Sequence, residues 1–134
     1  MTSKVTYTGE LRTSCVHLRS GNEFITDAPV DNNGLGKAFS PTDTVATALA
    51  SCMLTMMGIK ARDMEVNLKN SVAEVTKHMA ADPRRISQID IELHLPAIIT
   101  EKQKKILEHT ARTCPVILSL HTDIKKEILF HWDL

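Results

Sequence analysis

The sequence predicts an α+β fold in which a largely antiparallel β-sheet packs around a central buried helix. Strand-like segments come in groups rather than alternating with helices, and this order favours α+β over a parallel α/β arrangement. An apolar segment of helical length separates the first group of strands from the second, and such helices are normally buried. The 134 residues can bury a core of their own, so we expect one domain spanning residues 1–134.

The charge balance and the cysteine pattern exclude several function classes. Sixteen basic and sixteen acidic residues cancel, and nothing indicates a nucleic-acid groove or a basic membrane-binding surface. The first residues contain no apolar run of signal-peptide length, so we expect a cytoplasmic protein. Three cysteines and six scattered histidines form neither a CxxC motif nor a zinc spacing, and we expect no metal site.

Residues 4–27 are predicted to form a β-meander. Three segments are rich in β-branched and aromatic residues, namely Val5–Thr8, Thr13–Leu18 and Glu23–Thr26. Arg19–Asn22 has the composition of a turn. Residues 28–39 contain Pro, Asn and Gly and are predicted to be a loop that leads to the central helix.

The central helix is predicted over residues 40–62. Ser40 can cap it, Pro41 suits the first helical position, and Asp43 lies where a capping-box acid belongs. Most of the helix is uncharged and rich in alanine and methionine. Cys52 lies in its middle, and from the helix alone it is either a small buried hydrophobe or a functional thiol.

Strand patterns resume after this helix. Residues 65–69 are predicted as one strand segment, and a second segment follows that runs through Val75 to Met79. A bulge is predicted at Asn70–Ser71, because the apolar residues change parity there. Residues 81–84 are predicted to turn the chain. The clearest half-buried strand follows, with apolar residues at every second position: Ile89, Ile91, Leu93 and Leu95.

A second helix is predicted to begin at Thr100, with Gln103 at its capping-box position. It should end at Cys114, because the residue before a proline avoids helical angles. Val116–Leu120 is predicted to be a new, short helix, and Ile124–Trp132 a final strand.

The two predicted helices place Cys114 and Cys52 in different environments. If Cys114 caps the short helix that follows it, unpaired backbone N–H groups and the helix dipole favour its thiolate. Cys52 lies inside an apolar helix, where desolvation raises the pKa of a thiol unless a cation or a donor lies close. A reactive Cys52 therefore requires an Arg or a Lys from elsewhere in the chain.

Two cysteine motifs stand out in this order of elements. In the first, Ser40-Pro41 opens an alanine-rich helix that carries Ser51-Cys52-Met53, with the cysteine eleven residues after the proline. In the second, Cys114-Pro115-Val116 follows Ala111-Arg-Thr. Both motifs resemble those of the OsmC/Ohr family, the osmotically induced proteins and organic hydroperoxide reductases, in which the first helix begins Asn-Pro-Glu. The element order is similar to the family's across essentially the whole chain.

This resemblance implies an OsmC-like fold, an intertwined homodimer with each active site at the subunit interface, and thiol-dependent peroxidase activity. Cys52 would attack the distal oxygen of a hydroperoxide and become a sulfenic acid. Cys114 would then condense with it to a disulfide, which an external dithiol reduces. Family members favour organic hydroperoxides, and the Met-rich surroundings of Cys52 suit such a substrate. No metal, flavin or haem is implied.

The chain departs from the family pattern at the start of the central helix. The family has a glutamate directly after the proline, paired with an arginine that supports the thiolate, whereas this chain has Thr42 there and Asp43 one position later. Asp43 is a candidate replacement or an ordinary capping acid. We expect Arg12 to supply the cation, with Arg19 or the loop residue Lys37 as alternatives, and Arg12 can also be a plain strand-surface charge.

Three functions remain open at this point. The first is the organic hydroperoxidase, and the second is other thiol chemistry, on a persulfide or a disulfide, at the same cysteine pair. The third is a non-enzymatic, dimeric redox-sensing or ligand-binding protein. The presence of Thr42 in place of the family's glutamate favours the second and third functions over the first. Cys15 lies outside both motifs and is expected to be a plain strand residue.

Overall fold

The computed structural model describes residues 1–134 and confirms the α+β class. Backbone contacts divide the chain into two compact units, Met1–Val45 and Ala46–Leu134. In chain order the elements are β1 (Ser3–Gly9), β2 (Arg12–His17), β3 (Glu23–Asp27), α1 (Pro41–Asp63), β4 (Val72–Ala80), β5 (Arg85–His94), α2 (Glu101–Arg112), α3 (Pro115–Ser119) and β6 (Lys125–His131). The strands form two three-stranded sheets rather than one continuous sheet.

The first unit contains the predicted meander, with antiparallel strands in the order β1-β2-β3. Its register places Val5 opposite Cys15 and Cys15 opposite Phe24, so these three side chains lie in one row across the sheet. No hydrophobic residue of this unit is buried. The meander therefore leaves its apolar residues exposed within a single chain.

Helix α1 begins with the predicted capping interactions. The Asp43 N–H donates to Ser40 Oγ at 3.0 Å, and the Ser40 N–H donates to Asp43 Oδ2 at 3.0 Å, so two backbone donors at the helix start are satisfied reciprocally. By length and mean hydropathy, 1.4 over its most apolar 18 residues, α1 could cross a membrane, and 33% of that window is buried within the chain. Core helices of soluble proteins meet the same two criteria.

Residues 65–69 are not the strand that alternation predicted. Helix α1 runs on to Asp63, and Glu65 then has φ 55°, which places it in the left-handed region. Asn70 has φ 71°, and the Ser71 N–H donates to the Leu68 carbonyl at 3.0 Å. The change of parity near Asn70 therefore marks turns, and the actual register shift of β4 lies between His78 and Met79.

The second sheet has the order β4-β5-β6, with β5 in the centre. Strands β4 and β5 form an antiparallel hairpin, whereas β6 pairs with β5 in parallel, so the sheet is mixed. A parallel neighbour requires a long crossover, and α2 and α3 supply it here. The four apolar residues predicted to face inward on the central strand and just after it are fully buried: Ile89, Ile91, Leu93 and Leu95.

The core of the second unit forms between α1, β5 and α2. Met53 and Met57 of α1, with Leu107 of α2, are fully buried in one cluster with the β5 side chains. Helix α2 begins at the predicted capping box, in which Thr100 and Gln103 satisfy each other's backbone N–H groups. The apolar face of α2 packs against the core through Leu107 and Ala111. The helix ends at Arg112, two residues before Cys114.

Candidate functional site

Cys114 lies at the junction between α2 and α3, as predicted. Its backbone is extended, with φ −67° and ψ 151°, and Pro115 occupies the first position of α3. The residue is fully buried. The proline therefore ends one helix and starts the next, and this places the thiol at the start of α3.

Cys52 lies in the middle of α1 and is half-buried. Its neighbour Met53 is fully buried in the core cluster, while Cys52 packs against the edge of that cluster. Ser51 on its other side is exposed. Cys52 thus lies at the boundary between the core and the surface of the chain.

The two cysteines lie in the same packed region, because Cys114 belongs to the core cluster and Cys52 packs against that cluster. Both carry free thiols. Burial is the largest cause that raises the pKa of Cys114, and the polar and potentially charged thiol of Cys52 raises it further. The backbone amides of Ile117 and Val116 act in the opposite direction but do not prevail.

The raised pKa of Cys114 differs from the expectation that its position at a helix start favours the thiolate. The sequence placed it at a helix start, where amides and the dipole favour the thiolate, and those amides are present. A five-residue helix offers few such groups, however, and the complete burial of the side chain costs the charged form more. Cys114 is consequently a protonated thiol at neutral pH.

Arg12 begins β2, and an acid that the sequence analysis missed holds its guanidinium. Arg12 Nε donates to Asp27 Oδ1 at 2.7 Å and a terminal nitrogen donates to Asp27 Oδ2 at 3.0 Å, which is a bidentate pair. Asp27 is 1% exposed and also accepts the Lys37 backbone N–H at 3.1 Å. The hydrogen bond to Arg12 holds the pKa of Asp27 below its usual value, and Asp27 in turn raises the pKa of Arg12.

The register of the meander explains this pair. Arg12 and Asp27 are direct partners across β2 and β3, so their side chains lie on the same face. Counting back from the predicted Arg19–Asn22 turn pairs Leu18 with Glu23 and Arg12 with Pro29, two residues away from the observed partner of Arg12. The sequence analysis missed Asp27 because this residue follows the predicted strand segment Glu23–Thr26, and aspartate is common in loops.

The carboxylate of Asp43 is engaged at the start of α1. Its Oδ2 accepts the Ser40 N–H in the capping box, and Thr42 Oγ1 lies 3.2 Å from Ser40 Oγ. The capping function predicted for Asp43 is therefore present, while its proposed part in supporting the thiolate stays a prediction. Among the alternatives to Arg12, Lys37 contributes a backbone N–H to Asp27.

Cys15 lies in β2, as expected for a plain strand residue, and is half-buried. Its sulfur is 3.7 Å from the Thr13 hydroxyl. The first unit thus contains Arg12, Asp27 and Cys15, and the second unit contains the pair of neighbouring thiols. The one group of three side chains able to ligate a metal ion includes no cysteine.

Comparison with known proteins gives a protein family and a similar solved structure. Residues 34–128 match the family described as OsmC-like protein. A Psychrobacter arcticus 273-4 protein, provisionally named an osmotic stress induced and detoxification response protein, is 59% identical, with a TM-score of 0.95 over 98% of this chain and 96% of that one. No curated protein matches the sequence significantly.

More distant structures share the fold. The organic hydroperoxide resistance protein OsmC of Legionella pneumophila is 14% identical, with a TM-score of 0.76 over 98% of this chain and 97% of that one. An organic hydroperoxide resistance protein of Elizabethkingia anophelis is 12% identical, with a TM-score of 0.77 over 99% and 97%. At such identities the likeness extends to the fold alone.

Proposed function

Because this chain belongs to the OsmC-like protein family, we propose that it is a thiol-dependent peroxidase that reduces organic hydroperoxides. The observation that carries the proposal is that the buried Cys114 and the half-buried Cys52 pack in one cluster, with Cys52 raising the pKa of Cys114. A reactive thiol with a second thiol beside it is the arrangement that a two-cysteine peroxidase requires.

The first step is assigned to Cys52, because this residue is half-buried whereas Cys114 is fully buried. Its thiolate attacks the distal oxygen of the hydroperoxide, so a sulfur–oxygen bond forms and the oxygen–oxygen bond breaks. The alkoxide takes up a proton and leaves as the alcohol. Cys52 is oxidised to a sulfenic acid, and the peroxide is reduced by two electrons.

The second step uses Cys114 as a protonated thiol. Its sulfur attacks the sulfenic sulfur of Cys52 and forms the disulfide, while the sulfenic oxygen leaves as water with the proton that Cys114 loses. The raised pKa of Cys114 suits this order, because a thiol that stays protonated does not compete for the peroxide. An external dithiol then reduces the disulfide and is itself oxidised to a disulfide.

Several features support an organic rather than a small inorganic peroxide as substrate. Met53, Met57 and the half-buried Met56 make the surroundings of α1 apolar and deformable. The Legionella and Elizabethkingia structures with the same fold are named organic hydroperoxide resistance proteins. We propose the same substrate class for this chain.

Arg12 is proposed to support the Cys52 thiolate. A guanidinium can do this only if its position is fixed, and Asp27 fixes it through two hydrogen bonds. The acid that the family places after the helix proline is Thr42 here, and Asp27 is proposed to take over its function from a different element.

We also propose a homodimer. The first unit buries no hydrophobic residue, and its meander exposes large apolar side chains such as Val5 at 61%, Tyr7 at 65% and Phe24 at 50%. In the second unit Ile59 of α1 and Leu118 of α3 are exposed as well. So many exposed apolar side chains are typical of an interaction surface, and a second copy of the chain would cover them.

The test is a stopped-flow measurement with cumene hydroperoxide, hydrogen peroxide and an added dithiol. We expect faster reduction of cumene hydroperoxide, complete loss of turnover in Cys52→Ser, and one oxidation followed by a stall in Cys114→Ser. Cys15→Ser is the matched control and should retain turnover. Full turnover by Cys52→Ser would contradict the assignment of roles.

The same experiment separates the alternative of a redox-sensing protein. The observation that favours this alternative is the buried, protonated state of Cys114, which slows its attack on a sulfenic acid. A sensor would form the disulfide slowly and would show no repeated turnover with any dithiol.

A further inference from the structure

We propose that Glu92, His94 and His131 form a binding site for a divalent cation of the zinc type, on the β5–β6 pair and separate from the cysteines. The ligand atoms of these three side chains all lie within 4.8 Å of one another. The site is independent of the proposed peroxidase activity.

The strand register creates this grouping. His94 and His131 are direct partners in the parallel pair of β5 and β6, and Glu92 lies two residues before His94 on the same face. The two imidazole rings stack with their centres 4.8 Å apart. Glu92 Oε2 lies 3.0 Å from His131 Nε2, so all three groups converge at one point of the sheet surface.

A fourth side chain orients one of the rings. His94 Nδ1 lies 2.9 Å from Asp133 Oδ2, which leaves Nε2 as the nitrogen available to a metal. Metal-binding histidines commonly donate their other ring N–H to a carboxylate in this way. Asp133 is therefore a positioning residue in the proposed site.

The backbone around the cluster is held firmly. The Leu95 N–H donates to the His131 carbonyl at 2.8 Å, and the Leu134 N–H donates to the Leu95 carbonyl at 3.1 Å. These bonds fix the chain segments that carry His94, His131 and Asp133. A site built on paired strands is positioned more precisely than one on loops.

The charges around the histidines favour a cation. Glu74 of β4 is the direct cross-strand partner of Glu92, and like charges in that position repel each other. Asp133 adds a third carboxylate next to His94. A bound divalent cation would neutralise this local excess of negative charge.

The donor set selects the class of metal. Two imidazoles and one carboxylate suit zinc and neighbouring late first-row ions, whereas magnesium and calcium prefer oxygen ligands alone. Tetrahedral zinc needs ligand atoms about 3.3 Å apart, given metal–nitrogen distances of about 2.0–2.1 Å. The half-exposed rings must therefore turn and approach, and the metal replaces the hydrogen bond between Glu92 and His131. Water completes the coordination.

The test is a titration of the chelator-treated, full-length protein with Co²⁺ and Zn²⁺. We expect one saturable site, with the visible absorption of nitrogen- and oxygen-bound Co²⁺ and without a sulfur-to-cobalt charge-transfer band. His94→Ala and His131→Ala should abolish this binding, and Asp133→Asn should weaken it by roughly 10–100-fold. The matched control is His78→Ala, because His78 pairs with Asp90 at 2.6 Å on the same sheet without a second histidine.

A second measurement does not depend on variants. In the histidine ¹H–¹⁵N spectrum of the unchanged protein, Zn²⁺ should shift the ring signals of His94 and His131 and leave the other four histidines in place. Three results would overturn the proposal: no saturable binding, equal binding by the two alanine variants, or a charge-transfer band that assigns the metal to the cysteines.

Discussion

At the scale of single residues, Cys114 shows how burial can outweigh local backbone chemistry. Its position before Pro115 was predictable, since a proline ends one helix and suits the start of another. Its complete burial was not, because burial depends on how α1 and α2 come together in three dimensions. The pKa of the thiol follows from the burial more than from the helix start.

The state of Cys114 gives a first residue-level prediction. Removal of the Cys52 thiol removes a polar and potentially negative group that raises the pKa of Cys114. In Cys52→Ala we therefore expect this pKa to fall while burial keeps it from becoming acidic. The measurement is the rate of alkylation of the Cys114 peptide against pH, by mass spectrometry, in Cys15→Ser proteins with and without Cys52. A pKa that rises or stays constant would show that the thiols do not interact.

Asp27 gives a second prediction at the same scale. Asp27→Asn keeps the shape of the side chain and removes the charge that fixes the Arg12 guanidinium. If Arg12 supports the thiolate, kcat/KM for cumene hydroperoxide should fall on the order of 10- to 100-fold. Asp123→Asn, an exposed acid, is the control. An unchanged kcat/KM would separate Arg12 from the reaction.

The same variant tests the ion pair through pH. The pKa of Asp27 is lower in the folded protein than the usual value of 3.8, so the carboxylate stabilises the fold at neutral pH, and this stabilisation is lost as the pH falls through the folded-state pKa. The Tm difference between wild type and Asp27→Asn should be constant near pH 7 and should shrink below about pH 4. A difference that grows with acid would have the wrong sign for this pair.

At the scale of elements, capping and alternation predicted most of the structure. The starts of α1 and α2, the break at Cys114 and the buried strand β5 all followed from short-range patterns. The strand predicted over residues 65–69 was wrong. Alternating apolar and polar residues after a helix are equally compatible with successive turns once Glu65 adopts a left-handed conformation. The parallel pairing of β6 also depends on tertiary packing, which periodicity does not encode.

Helix α2 allows the capping argument to be tested. Thr100 Oγ1 accepts the Gln103 N–H, and Gln103 Oε1 accepts the Thr100 N–H. Thr100→Ala should lower the free energy of unfolding by about 1 kcal/mol. Ser119→Ala, which removes a hydroxyl from the end of α3, is the control for losing a side-chain hydroxyl. Equal effects of both substitutions in denaturant unfolding would contradict a specific capping contribution.

At the scale of the whole molecule, the two units differ in how they bury apolar surface. All of the buried hydrophobic residues lie between Ala46 and Ile128, while the meander has none. The sequence indicated this imbalance only indirectly, through a helix that is apolar on nearly every side. An isolated three-stranded sheet needs a hydrophobic face packed on something, and the proposed second copy would supply it.

We therefore expect sedimentation to show a stable homodimer at micromolar concentration. Phe24→Lys should weaken it, because Phe24 is exposed beside the half-buried Cys15 in one row of the sheet, and a lysine there would place a charge in the interface. Ile98→Lys is the control, since Ile98 is 96% exposed and lies outside the strands. A monomer in the wild-type protein would contradict the proposed assembly.

The parallel pairing of β6 also bears on when the thiol pair can exist. Strands β4 and β5 join through a tight turn, but β6 reaches β5 only after residues 95–124, which include Cys114, have closed a long loop. Such distant pairings are entropically costly and form slowly. A nascent or partly refolded chain that has not yet added β6 has not closed the crossover that carries Cys114. We therefore expect assembly of the proposed redox pair to be coupled to completion of the fold.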